Sequence, residues 1–411
     1  MIDQPKPRLL VLTSTFPRWR NDTQPPFVFE LSRRLTDRFD ITVLAPRAPG
    51  SLEQEEMDGL NIVRFPYFFK RLEQLATHGG GILSRLKANP LFYFLVPFFV
   101  LGQLWALTRL LRRQPYAIIQ AHWLIPQGLI TVLARWLTRR PTPLVCTSHG
   151  ADLFALRGAW LRRLKRAVID ESTMVTVVSS AMHSECLALG GHSRRVEIIP
   201  MGVDLQSNFT PDPRIIRSDD ELLFVGRLVE KKGLLPLLQA MPRIVASHPK
   251  ARLSIVGSGP LETALRRQVA ALGIGEQVAF LGMAAQSELP NIYRRAALLV
   301  APFIVADSGD QEGLGLVMVE AAGCGCPVVG GDVAAVTDVI QNGETGLIVD
   351  CGDPSALANA IIDLLADPQR RRRLAANARQ YCRETFDWES VAERYASLLQ
   401  ASLTHTWPGS D

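Results

Sequence analysis

No two of the six cysteines (Cys146, Cys186, Cys324, Cys326, Cys351, Cys382) are spaced as C-x-x-C, and none has histidine partners at metal-ligand spacing. That argues against a zinc framework, and a density so far below that of small secreted domains points to buried, reduced thiols. D-x-D is missing from the whole chain, and with it the usual carboxylate pair for a bridging Mg²⁺ or Mn²⁺. Neither half opens with G-x-G-x-x-G, which argues against a nicotinamide-dependent oxidoreductase. The amino-terminal stretch MIDQPKPRLLVLTSTFP has an apolar run too short and too soon interrupted for a signal peptide, so a cytoplasmic chain is expected. No apolar run reaches the ~20 residues of a spanning helix.

What the chain has is an ordinary globular composition, 47% hydrophobic and 21% charged, over 411 residues, more than one hydrophobic core usually supports. Two domains are expected. Residues 1–205 hold 26 Lys and Arg against 16 Asp and Glu, a balance of +10, while 206–411 hold 19 against 24, a balance of −5. A basic half suits nucleic acid or an anionic membrane, and two features favour the membrane. The segment 91–107, LFYFLVPFFVLGQLWAL, is seventeen residues with Gln103 its only clearly polar member, flanked by Arg85, Lys87, Arg109, Arg112 and Arg113. Pro97 and Gly102 weaken it as a span, leaving open a buried core helix, an interfacial helix resting on lipid headgroups or a transmembrane helix. Arg157, Arg162, Arg163, Lys165 and Arg166 form a second, helix-compatible basic set, for which a solvated face is the alternative.

Short β-branched runs alternate with longer helical stretches, the pattern of parallel sheets covered by helices on both faces. In the first half the runs are 9–15, 41–46, 61–66, 116–122, 144–150, 174–180 and 196–203; in the second, 222–228, 252–259, 278–282, 297–303, 327–331 and 346–350. The expected fold class is α/β, with two Rossmann-like, doubly wound parallel-sheet domains. Residues 1–204 form the first, 205–220 a linker rich in Pro, Asp and Ser, 221–384 the second, and 385–411 an amphipathic helix returning to the first.

In open α/β sheets ligands sit beyond the carboxyl ends of the strands. The strand ending at Gly226 delivers Arg227 and, five residues on, Lys232, where an anion would bind; solvated loop cations are the alternative. Gly257 and Gly259 of GSGP also follow a strand but lack the third glycine of a dinucleotide fingerprint. His149 closes the strand CTSHG. The stretch EGLGLVMVE sets Glu312 and Glu320 eight positions apart, with a helix expected to begin near Gly313 to Gly315. The free N–H groups of a helix start carry about half a positive charge and suit a phosphate, and glycine lets a ligand approach the backbone closely. Taken as helical throughout, the interval spans ~12 Å with a net rotation of about 80°, so both carboxylates lean to one side and one long ligand could touch both. A nucleotide sugar has that shape.

At these residues the chain resembles the retaining GT-B glycosyltransferases of family 4, over nearly its whole length. EGLGLVMVE matches their E-x7-E motif, VGRLVEKKG their Arg/Lys pair, TSHGAD their His-bearing loop and IIPMGVD the end of their first domain. The resemblance implies two Rossmann-like domains facing across a cleft. It implies transfer of a sugar from a nucleotide-sugar donor to a glycan or lipid-linked acceptor with retention, without a metal or other cofactor. Arg227 and Lys232 would hold the donor pyrophosphate with the backbone of Gly313, Leu314 and Gly315. Glu312 would bind donor-sugar hydroxyls, Glu320 the ribose, and Gly257, Gly259 and Met283 would lie along the base. His149 would line the reaction centre, making His149, Glu312, Arg227 and Lys232 the catalytic set. With no carboxylate placed as a nucleophile, a front-face substitution is implied, the leaving phosphate helping to deprotonate the acceptor. A UDP-sugar is expected first and a GDP-sugar next, with an anionic membrane surface as partner, no nucleic acid, and a peripheral position at the inner face of the cell membrane. Within the family the chain resembles a branch that builds cell-surface polysaccharide or lipopolysaccharide.

Two departures from the family pattern stand out. Pro25 and Pro26 replace a common glycine pair after the first strand, and Asp338 replaces a common Glu. A nucleotide-sugar epimerase, a phosphorylase on the same fold and a noncatalytic sugar-nucleotide sensor are the alternatives.

Overall fold

The computed structural model describes residues 5–403 except 21, 23–26, 77–81, 83–84, 87–88 and 157, so Pro25, Pro26, Lys87 and Arg157 lie outside the described residues. The chain divides into two compact units, Met1–Val178 with Met182–Ile199 and Val391–Asp411, and Ser179–Ala181 with Pro200–Ser390.

The first unit is built on an eight-stranded sheet in the order β3-β4-β2-β1-β5-β6-β7-β8. Its strands are β1 (Arg8–Leu12), β2 (Asp40–Pro46), β3 (Gln54–Met57), β4 (Leu60–Phe65), β5 (Ile118–His122), β6 (Leu144–Ser148), β7 (Met174–Val177) and β8 (Val196–Ile198). Leu9, Leu10, Val11 and Leu12 are all buried, as a strand covered on both faces requires. Not among the expected strands is β3, an acidic edge strand that pairs antiparallel with β4. Asp58 and Gly59, with φ of 50° and 79°, make the two-residue turn between them.

The helices of this unit include α1 (Phe27–Arg34), α2 (Leu95–Arg113), α3 (Leu129–Thr138) and α4 (Ala159–Glu171). Crossovers from β4 to β5, β5 to β6 and β6 to β7 step in one direction, and the crossover from β1 to β2 in the other. Right-handed connections therefore place α2, α3 and α4 on one face of the sheet and α1 on the opposite face. The apolar segment expected as either core or interface has one side in the core and the other exposed. Leu95, Phe99, Gln103, Leu107 and Leu111 of α2 are buried, and Gln103 donates to the Thr13 carbonyl at 3.4 Å. Leu101 and Trp105 point outward and are exposed.

The second unit holds a six-stranded parallel sheet in the order β11-β10-β9-β12-β13-β14. The strands are β9 (Glu221–Val225), β10 (Arg252–Val256), β11 (Val278–Gly282), β12 (Leu298–Ala301), β13 (Val328–Gly331) and β14 (Leu347–Val349). The strand order reverses between β9 and β12, which opens a crevice beyond their carboxyl ends. Residues 205–220, expected as a linker, belong to this unit. Arg217 ties them down by donating to the carbonyls of Tyr293 and Cys324, each at 3.1 Å, and Arg294 donates to the Thr210 carbonyl at 2.6 Å. The single terminal helix expected from 385 is also interrupted. One helix ends at Phe386, the next starts at Trp388, and Asp387 between them accepts from the Glu389 N–H at 3.0 Å. From Val391 onward the chain belongs to the first unit, where Tyr395 and Thr176 hydroxyls meet at 3.4 Å.

Candidate active site

In the second unit, the loop after β9 lies against the loop after β10. The Leu228 N–H donates to the Ser258 carbonyl at 2.9 Å. A Cβ on Gly257, whose φ is 141°, would sit 1.9 Å from the Gly226 carbonyl oxygen, and one on Gly259 would sit 2.4 Å from that of Leu228. Backbone against backbone is therefore sufficient reason for glycine at both positions. Met283 follows β11 and is exposed; the Gly282 carbonyl before it accepts from the Gly257 N–H at 2.7 Å.

Arg227 is exposed at the end of β9. The Lys232 stem folds back beside it, its Cδ 3.6 Å from where a Gly226 Cβ would lie, and its Nζ stands 4.4 Å from the Phe303 ring centroid. That ammonium pairs with Glu312, Nζ to Oε2 at 2.6 Å, and both side chains are largely buried. Next to it Lys231 holds the 307–312 loop, reaching Asp310 at 3.2 Å and the Gln311 carbonyl at 3.1 Å. Burial pushes the Glu312 carboxyl up, but Lys232 and Lys231 outweigh it and hold the group below its ordinary value.

The E-x7-E helix, α5 (Leu316–Gly323), starts one residue after Gly315. Gly315 is its N-cap with φ 78°, and a Cβ there would sit 2.7 Å from the Phe303 ring, so glycine is required twice over. Glu312 consequently lies before the helix, and the rotation of about 80° worked for a continuous helix does not describe the pair. What they share is Lys232, whose charge also favours ionised Glu320. Glu320 accepts from the Tyr293 hydroxyl at 2.8 Å. Burial pushes its carboxyl up to about 7, with Tyr293 and Gln286 opposing. Leu314 is buried, which leaves only its backbone for a ligand. Asp338 accepts from the Ser180 N–H at 2.8 Å and hydroxyl at 3.1 Å, a structural tie.

In the first unit, His149 follows β6 and faces His122, the last residue of β5, with His149 Nε2 and His122 Nδ1 2.9 Å apart and the rings inclined by 14°. Burial pushes His149 down to about 3; burial, then His149 itself, depresses His122 well below its ordinary value. Both rings are neutral at pH 7, one proton lies between them, and His149 Nδ1 and His122 Nε2 have no protein partner. Phe27 of α1 and Trp123 cover His149, with ring centroids at 4.7 and 5.1 Å. Trp123 sits at φ 76°, a strained backbone. It is held because its N–H donates to the Thr147 carbonyl at 2.6 Å and the following Leu124 N–H to Asp152 at 2.7 Å.

The sequence reading missed His122, Tyr293 and Lys231. His122 ends a strand just as His149 follows one, so the strand-end rule applied to both. Tyr293 lies within a short helix, Leu289–Arg295, and nothing in its spacing from Glu320 marked it. Among the described residues no three His, Cys, Asp or Glu side chains converge as a metal site.

Residues 26–207 match the family described as Glycosyltransferase Family 4, and residues 208–381 that described as Glycosyl transferases group 1. A GDP-mannose-dependent alpha-(1-6)-phosphatidylinositol monomannoside mannosyltransferase of Mycolicibacterium smegmatis is 30% identical over 95% of this chain and 98% of its own. The N-acetyl-alpha-D-glucosaminyl L-malate synthase of Bacillus anthracis is 27% identical over 76% of this chain and 82% of its own. Among solved structures, the sucrose-phosphate synthase of Thermosynechococcus elongatus superposes with a TM-score of 0.74 at 21% identity, covering 96% of this chain and 99% of that one. Anabaena HepE in complex with UDP gives 0.72 at 20% identity, covering 96% and 100%. The chain belongs to the group 1, family 4 glycosyltransferases, hexosyltransferases of the GT-B fold.

Proposed function

We propose that the chain transfers a hexose from a nucleoside diphosphate sugar to a lipid-linked or glycan acceptor, with retention of configuration and without a metal ion. The observation that carries the reading is the meeting of Lys232, Glu312 and the start of α5 around Phe303, beside Arg227. Cations and helix N–H groups fixed there oppose the charge that develops on a departing diphosphate. The anomeric carbon–oxygen bond breaks, its electron pair goes to the diphosphate, the acceptor oxygen bonds to the same face, and its proton passes to the leaving phosphate. Sugar hydroxyls replace Lys232 as partners of Glu312, and the ribose hydroxyls meet Glu320. A neutral His149 can accept from, or donate to, a sugar hydroxyl through its open Nδ1. The relative matched over 95% of this chain is GDP-mannose-dependent by name, which moves a GDP-hexose ahead of the UDP-sugar expected from sequence.

The test is a thermal-shift panel of GDP-, UDP- and ADP-sugars followed by transfer to a lipid acceptor, with the product anomer read by NMR. A donor at 100 times its dissociation constant adds about 2.7 kcal/mol of stability. An inverted product, or activity abolished by EDTA and restored by Mn²⁺, would refute the retaining, metal-free reading.

A further inference from the structure

We propose that the first unit docks on an anionic phospholipid bilayer, with the loop 66–73 and the outward side of α2 in the headgroup layer. The loop is held rigid from below. Glu73 is fully buried and accepts the N–H groups of Tyr67 and Phe68 at 2.7 and 3.1 Å and the Arg47 Nε at 2.6 Å. This clamp leaves the tip FKRL (69–72) outside, with Phe69 74% and Leu72 53% exposed. Phe68 ties the tip to the helix, its ring 5.1 Å from Phe98 and 6.0 Å from Phe94. From there the exposed apolar surface continues along α2 through Leu101 and Trp105. On the neighbouring helices of the same sheet face, Trp136 of α3 and Trp160 of α4 are also exposed. Tryptophan with arginine is the side-chain pairing favoured at a membrane–water boundary.

Charge selects the occupant. Between Glu73 and Asp152 the sequence has no acidic residue, while Arg85, Lys87, Arg109, Arg112, Arg113, Arg139 and Arg140 fall in that interval, and Lys70 and Arg71 precede it in the loop tip. Arg135 also falls there but is buried, donating to the Glu171 carbonyl at 3.0 Å. A second copy would bring the same sign of charge to the same face. Nucleic acid would leave the exposed leucines without a partner. An anionic bilayer satisfies both the basic and the apolar components. The helix lies along the surface rather than across it, because its other side covers the sheet and buries Gln103 against the Thr13 carbonyl.

The experiment is sedimentation of the full chain with vesicles of phosphatidylcholine containing 30% phosphatidylglycerol, about the anionic fraction that gives a substantial surface potential. Wild type should partition strongly, less so as NaCl is raised and much less on pure phosphatidylcholine. The pair Phe69→Ser with Leu72→Ser, and separately Phe94→Ser with Leu101→Ser, should each weaken binding about tenfold to a hundredfold. Lys70→Gln with Arg71→Gln should cost about twenty-fivefold, near fivefold per charge. Nucleoside diphosphate binding, read by calorimetry, should be unchanged in all three variants, which separates a failure of docking from a failure of the proposed transfer. Partitioning indifferent to the apolar pairs or to anionic lipid overturns the proposal. So does a wild-type dimer in analytical ultracentrifugation that the same pairs dissolve, since the face then belongs to a second copy.

Discussion

Glu320 gives the sharpest quantitative expectation. Its carboxyl, ordinarily near 4.5, is pushed up to about 7 by burial, with the Tyr293 hydroxyl at 2.8 Å opposing. Below pH 4.5 the group is protonated in both the folded and the unfolded chain and adds no penalty. As pH rises the unfolded carboxyl ionises first, while the folded one keeps its proton to about 7, so stability is lost across that window. The gap from 4.5 to about 7 corresponds to a loss of about 3 kcal/mol by pH 8. Glu320→Gln preserves the shape and cannot ionise. Its stability relative to wild type should therefore climb by about 2–3 kcal/mol between pH 5 and 8. His122 and His149 act in the opposite sense, since both are neutral when folded and protonate only in the unfolded chain below about 6.5. They are common to both proteins and cancel in the difference. Paired urea denaturations at four pH values measure it. A difference flat with pH would show that Glu320 is solvated enough to ionise normally. On the proposed reading the same carboxylate would accept ribose hydroxyls best when ionised, so nucleoside diphosphate affinity in wild type should rise through pH 7 and level off above it.

Glu312→Ala should cut transfer on the order of a hundredfold by leaving the sugar misplaced, while calorimetry finds diphosphate bound as tightly as before or tighter, because Lys232 is released from its ion pair. Equal loss of diphosphate binding in Glu312→Ala and Glu320→Ala would contradict this division. His122→Phe removes the partner of His149 Nε2 and should lower kcat with little effect on KM. The ¹⁵N shifts of His149 should then show mixed tautomers, and a kcat loss without that signature would mean a packing effect alone. Gly257→Ala forces a Cβ to 1.9 Å from the Gly226 oxygen at a φ of 141° and should destabilise the second unit by roughly 2–4 kcal/mol, read as a lowered melting temperature.

Strands were legible because each is a short β-branched run buried on both faces, and β1 with four consecutive buried aliphatics is typical. β3 was not legible because Gln54, Glu55 and Glu56 lack that signature; its local mark is the Asp58-Gly59 turn, which is not apolar. Helix geometry failed at Glu312 for a related reason. Gly315 takes a left-handed conformation and delays the helix, and a one-dimensional count of residues carries no φ. Lys232 and Glu312 were named separately, but their 2.6 Å pairing joins segments 80 positions apart. Tyr293 under Glu320 is likewise a contact that only the folded sheet creates.

The Lys232–Glu312 ion pair bears on how the enzyme turns over. Breaking a largely buried pair by occupying only one partner strands the other, at a cost of about 3–5 kcal/mol. On the proposed reading, inorganic phosphate would engage Lys232 and leave Glu312 without a partner, whereas an intact donor would bring a diphosphate for one and hydroxyls for the other. Once the sugar has moved to the acceptor, the remaining diphosphate is in the position of inorganic phosphate. Glu312 would then compete with it for Lys232, and re-formation of the pair would favour product release.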